Sequence, residues 1–165
     1  MKAISLFEPW ATLIALRLKK FETRSWPTAY RGPLLICASK KRPPLNKIIG
    51  ILYRAGITWN DLSPGRAVAI VDLVTILRTD DIVIQGKGID QNWPQGDELY
   101  FGDFSPNRHV WKLQNIRRFV NPPYIMGRQG IFNVPDDLIK DLETYPPLPI
   151  PTPMIRFESL KSQKK

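Results

Sequence analysis

Arg66-Ala67-Val68-Ala69-Ile70-Val71-Asp72-Leu73-Val74-Thr75-Ile76-Leu77 decides the fold class, because nine of its twelve residues are aliphatic and five of those are valine or isoleucine. Branching at Cβ suits a pleated backbone, and the run is long enough to cross a barrel and bend around it. Downstream, residues 98–101 and 109–120 read as two more strands, separated by the turn residues Gly102-Asp103-Phe104-Ser105-Pro106-Asn107, and 129–134 as the last strand. Pro135-Asp136-Asp137 then opens an expected helix with Leu138, Ile139 and Leu142 as its apolar stripe and acids in its first turn.

Upstream, residues 32–39 are nearly all apolar and predict a buried strand. It carries the single cysteine, Cys37, which has no partner for an intramolecular disulfide and reads as a small buried thiol. Ile48, Ile49, Leu52 and Tyr53 stand at helical spacing, and Gly56 follows where a glycine stops a helix. Residues 2–6 alternate as a short strand, and Pro9 at a first helical position opens the buried run Trp10-Ala11-Thr12-Leu13-Ile14-Ala15-Leu16. If 21–26 is extended, Glu22, Arg24 and Trp26 share one face. This order predicts a mostly β, α+β fold: a barrel with short helices at its ends. The folded domain is assigned to residues 1–144. Residues 145–165 are expected to form a proline-rich strap and a basic tail, with a P-x-x-P match from Pro146 to Pro149 as a minor candidate for a protein partner.

The chain has 165 residues, 43% hydrophobic and 24% charged, which fits one ordinary folded domain. No apolar run approaches the roughly 18 residues of a bilayer crossing, and the N-terminal stretch turns polar at Glu8, so a soluble cytoplasmic protein with no membrane role is expected. The net charge of +9 is unevenly placed. Between Ala15 and Lys47, Arg17, Lys19, Lys20, Arg24, Arg31, Lys40, Lys41, Arg42 and Lys47 face one acid, Glu22. Residues 104–135 contain five more cations and no acid, whereas 79–103 carry six acids and one lysine. Segregated positive charge is the footprint expected of a nucleic-acid binder, the alternative being an unevenly charged solvated surface.

One histidine and one cysteine supply no transition-metal spacing, and neither a Walker nor a dinucleotide glycine motif occurs, so no metal or cofactor is expected. His109, beside Trp111 in a strand, reads as structural. The concentrated polar chemistry lies in Arg17-Leu18-Lys19-Lys20-Phe21-Glu22-Thr23-Arg24-Ser25-Trp26. Lys19 and Arg24 suit phosphate, Glu22 can orient Arg24 or accept from a base, and Trp26 offers a stacking face for single-stranded or unpaired bases. The same residues fit equally well an ordinary salt bridge with Trp26 in the core.

Arg17-x-Lys19-x-x-Glu22-x-Arg24 resembles the G-x-K-x-x-E-x-R signature of the ASCH superfamily, a PUA-like group. Leu6-Phe7-Glu8-Pro9-Trp10-Ala11-Thr12-Leu13 is similar to its Q-P-W-A-S-L opening. Arg24-Ser25-Trp26-Pro27-Thr28 and Tyr30-Arg31-Gly32-Pro33-Leu34 are similar to its R-S-W-x-T and R-G-x-L blocks. Arg17 stands where the signature has glycine, a costly exchange if that position has a positive φ. The resemblance implies a pseudo-barrel of five to seven strands with a cleft for RNA, DNA or a nucleotide-like ligand. It places Lys19, Arg24, Ser39 and Lys40 in that cleft, with Arg31 and Lys41 extending the basic surface; Lys20, Glu22, Ser25 and Trp26 complete the expected binding set. Some relatives are hydrolases of acylated cytidine or RNA, so enzyme activity stays open. The amidohydrolases have a nucleophilic threonine where Glu22 stands, and a hydrolytic reading here would use Lys19 and Glu22 as an acid/base pair.

Overall fold

The structure is a computed structural model describing residues 1–84 and 93–146, and six strands form one sheet in the order β2-β5-β4-β3-β1-β6. They are β1 (Lys2–Leu6), β2 (Phe21–Arg24), β3 (Gly32–Ala38), β4 (Ala67–Arg78), β5 (His109–Arg118) and β6 (Ile131–Asn133). Helices α1 (Trp10–Ala15), α2 (Leu45–Ala55) and α3 (Thr79–Ile84) complete the mixed α+β fold. Among the described residues only β1 and β3 run parallel, the chain between them passing through α1 and β2; the other pairings are antiparallel. The sheet curls into a partly open half-barrel, as the long central strand anticipates.

Curling needs local breaks in register, and β4 supplies them. Its pairing with β5 slips between Ile70 and Asp72 and again between Leu73 and Thr75, and its pairing with β3 slips between Ile36 and Cys37. Each irregularity bends the strand and raises its twist. The side-chain alternation of β1 and β3 feeds two separate cores. Ile4, Leu6, Leu34 and Ile36 pack with α1, Trp111 and Leu113, while Ala3, Leu35 and Cys37 pack with Phe119, Phe132 and Ile139. A strand covered on both faces must be apolar at every position, which is why β3 does not alternate. Cys37 is inert in this setting, its thiol pushed up to about 12 by burial.

Two expected elements take another form. Residues 98–101 lie in a 3₁₀ helix, Gly96–Phe101, that buries only Phe101. Its acids Asp97 and Glu98 suit a helical first turn, and Glu98 is drawn to the backbone of Lys20 and Phe21 instead of a strand ladder. The helix expected after Pro135 stops at a 3₁₀ turn, Asp136–Leu138. Leu138 is half exposed while Ile139 is buried, so the stripe does not hold together, and Glu143, Thr144 and Tyr145 pair with the chain at 118–120. Too few residues remain to offset helix nucleation. From residue 147 the expected proline strap lies outside the described residues. Among the described residues, no helix is long and apolar enough to cross a membrane.

Candidate functional site

Leu16 caps the C-terminus of α1, and the next residue, Arg17, has φ 62°. The Arg17 amide donates to Ile14 O at 2.9 Å and the Leu18 amide to Leu13 O at 3.0 Å, the paired bonds of a left-handed helix stop. Glycine is the usual occupant of that position. Arg17 adopts the same turn and adds an anchor, since its Nε and Nη2 donate to the Ile116 carbonyl at 3.3 and 3.1 Å.

The turn delivers Lys19 to the interior. It has no exposed surface, and its Nζ donates to Phe21 O at 2.5 Å and lies 3.4 Å from Glu22 Oε2. Burial pushes this ammonium below its ordinary range, and the Glu22 and Glu98 carboxylates oppose the shift. On the other side of Glu22, Arg24 Nε lies 3.5 Å from Oε1, and Arg24 Nη2 donates to Ser5 O at 3.0 Å. One carboxylate is thus held between two cations. Glu98 fixes the approach to β2 by accepting from the amides of Lys20 and Phe21. Trp26 meets Trp111 edge to face at 4.9 Å, with the Arg24 guanidinium 6.0 Å from the Trp26 ring.

Glu22 and Arg24 open into a cavity of about 210 Å³, walled also by Ser5, Leu6, Phe7, Trp10 and Ser39. Arg24 Nε and Ser5 Oγ are buried beside it, Nε within ion-pair distance of Glu22 but outside hydrogen-bond geometry. Ser5 and Ser39 also line a groove of about 490 Å³ that contains Lys40, Lys41, Tyr124 and Arg128. A third depression, about 340 Å³, shares Trp10 and Glu22 with the first and is lined also by Lys19, Thr23, Asp103 and Arg108. Between the cavity-lining Phe7 and Trp10, Glu8 is buried and holds the corner before α1 in place. Its carboxylate accepts from Thr12 N (3.1 Å), Thr12 Oγ1 (2.9 Å) and Ser63 N (2.9 Å). Burial pushes its carboxyl above the ordinary range, while these bonds pull the other way.

Of the residues singled out in the sequence, Glu22, Arg24, Ser39, Lys40 and Lys41 line the cavity and groove that meet at Ser5 and Ser39. Lys19 lies beneath Glu22. Lys20 and Ser25 are exposed and, like Trp26 and Arg31, line none of these three hollows. Arg31 is turned back on its own loop, donating to the carbonyls of Thr28 (2.9 Å) and Tyr30 (2.7 Å). Sequence reasoning missed Ser5, Trp10, Tyr124 and Arg128. Trp10 sits inside the Pro9-Trp10-Ala11 block, which marks it; Tyr124 follows two prolines in a loop with no periodicity to mark it.

A family model described as the ASCH domain matches residues 4–123. The chain is similar to activating signal cointegrator 1 of Mus musculus, 33% identical over 129 residues, and to its Homo sapiens counterpart, 32% identical over the same length. The matched region covers 68% of this chain and 22% of each relative, so the chain spans about a fifth of the length of these curated relatives. Among solved structures it is similar to an ASCH protein from Zymomonas mobilis, with a TM-score of 0.51 at 12% identity, over 86% of this chain and 95% of that one. A mutant of that protein gives the same TM-score at 13% identity, over 86% of this chain and 98% of that one. These two likenesses are of fold.

Proposed function

This chain belongs to the ASCH domain family, and on that premise we propose that residues 1–144 form a nucleic-acid-binding domain, its site being the cavity beside the K-x-x-E-x-R segment and the basic groove that opens from it. The observation that carries the reading is the sharing of Ser5 and Ser39 by the two hollows, which joins Glu22 and Arg24 to Lys40, Lys41 and Arg128 in one continuous surface. The groove's cations have no carboxylate partner among the described residues, so their charge is available to phosphates. Glu22 and Arg24 line a space too small for a drug-sized ligand and suited to one base or one phosphate. Lys19 acts through Glu22, holding its charge in place from below. Trp26 braces Arg24 from the side.

Phosphate contacts release counterions, so affinity must fall as salt rises. Fluorescence anisotropy with labelled RNA and DNA at several salt concentrations tests this, the expected result being a salt slope that drops by about one unit in Lys40→Ala or Lys41→Ala. Absent or salt-independent binding overturns the reading. A hydrolytic reading has one observation in its favour: Lys19, lowered by burial, lies 3.4 Å from Glu22 at a depression of about 340 Å³. Incubation with RNA and modified nucleosides, with Glu22→Gln as the control, decides it. Turnover lost in that variant supports a hydrolase, and unchanged substrate supports a binder.

A further inference from the structure

We propose that the groove takes a single strand of nucleic acid and that Tyr124, backed by Arg66, is the platform on which one base stacks. The inference rests on the nucleic-acid reading above and narrows it to strand type and to a residue outside the signature. The chain at Tyr124 is sewn beside the start of β4: Ala67 N donates to Pro123 O at 2.9 Å, Ile125 N to Gly65 O at 3.2 Å, and Arg66 and Tyr124 form an antiparallel bridge. Alternation along this short extended piece buries Ile125 at 7% exposure and turns Tyr124 outward at 70%.

An exposed tyrosine alone says little, but this one is held. Arg66 lies with its guanidinium carbon 3.8 Å from the ring centroid and is itself fixed by a 2.7 Å bond from Nη1 to Pro122 O. One face of the ring is therefore covered by a cation whose position is set by the backbone, and the other faces solvent. A ring whose orientation is paid for in advance loses little entropy when a second flat group stacks on it. The same groove holds Lys40, Lys41 and Arg128. The Lys40 stem lies so close to Gly65 that a Cβ there would come within 2.8 Å of its Cγ, so the absence of a side chain at 65, where φ is +77°, is what lets this lysine lie along the groove. Stacking surface beside phosphate-seeking cations fits unpaired bases, because the base faces of a duplex are already covered by their neighbours.

The experiment measures anisotropy of the intact chain with labelled single strands and the matching duplex, each in ribose and deoxyribose form, across a salt series. Expected are tighter binding of a single strand than of duplex, a loss of about five-fold or more in Tyr124→Ala, near-native binding in Tyr124→Phe, and no change in salt slope for either. The two sugar forms identify the strand's source, and Tyr124 dependence with either one supports the proposal. Salt-dependent binding that ignores Tyr124→Ala, or duplex bound as tightly as single strand, overturns the platform while leaving the nucleic-acid reading intact. No salt-dependent binding of any probe overturns both.

Discussion

Replacing Arg17 tests whether this family member keeps the glycine turn at the expense of strain and recovers it through an anchor. An L-residue at φ 62° costs about 1 to 2 kcal/mol relative to glycine, and glycine gives back about 0.5 to 1 through the extra freedom of its unfolded chain. Position 17 should therefore favour glycine over alanine by roughly 0.5 to 1 kcal/mol. Both variants lose the guanidinium bonds to the Ile116 carbonyl, a half-buried charged interaction worth about 1.5 kcal/mol. Arg17→Ala is thus expected to destabilise by about 1.5 kcal/mol, and Arg17→Gly by about 0.5 to 1. That ordering is the reverse of the one for a helix interior, where alanine wins by about 1 kcal/mol. Urea unfolding of the three proteins, compared at equal slope, measures it. Alanine as stable as glycine, or more so, would refute the left-handed turn; two variants as stable as the parent would refute the anchor. Neither variant should change the salt slope of nucleic-acid binding, since the guanidinium is committed to the backbone of β5.

Glu8 makes a pH prediction of definite sign. Its carboxyl is raised above 4.5 in the folded chain, so between 4.5 and the folded value the native state holds more protons than the unfolded state. The contribution of this group is full below 4.5 and is lost as pH rises through the folded value; Glu8→Gln should erase that part of the decline in urea midpoints measured from about pH 4 to about pH 7. An identical pH profile in parent and variant would count against the burial of the charge. Glu98→Gln weakens a carboxylate that accepts from two amides and should cost about 1 to 2 kcal/mol, with hydrogen exchange accelerating first at Lys20 and Phe21. Unchanged exchange at those two amides would show that β2 is held without it.

Much of the fold is legible because its signals are local. β4 is marked by its run of branched residues, β3 by an apolar stretch that two cores require, and α2 by its spacing and by Gly56, which takes φ 65° as its C-terminal stop. The clamp of Glu98 on β2 joins residues 77 and 78 apart in sequence, and no local pattern announces it. The same holds for the site. Lys19, Glu22 and Arg24 are visible as a motif, but their spacing does not reveal that Lys19 would be buried or that Arg24 would lean on Ser5. Lys40 and Lys41 announce themselves as charge, whereas Tyr124 gains meaning only when the chain at 122–125 is laid beside Arg66.

Among the described residues β2 is an outermost strand of the sheet, paired on one side only. Leu113 N donates to Lys20 O, which turns the amide and carbonyl of Phe21 the other way, away from β5. Those two groups are the ones a second chain would use to add itself to the sheet. Glu98 occupies the amide and Lys19 the carbonyl, so each end of the opening is stoppered by a charged side chain from this chain. The lysine and the distant glutamate thereby leave these two backbone groups with no free valence for strand addition.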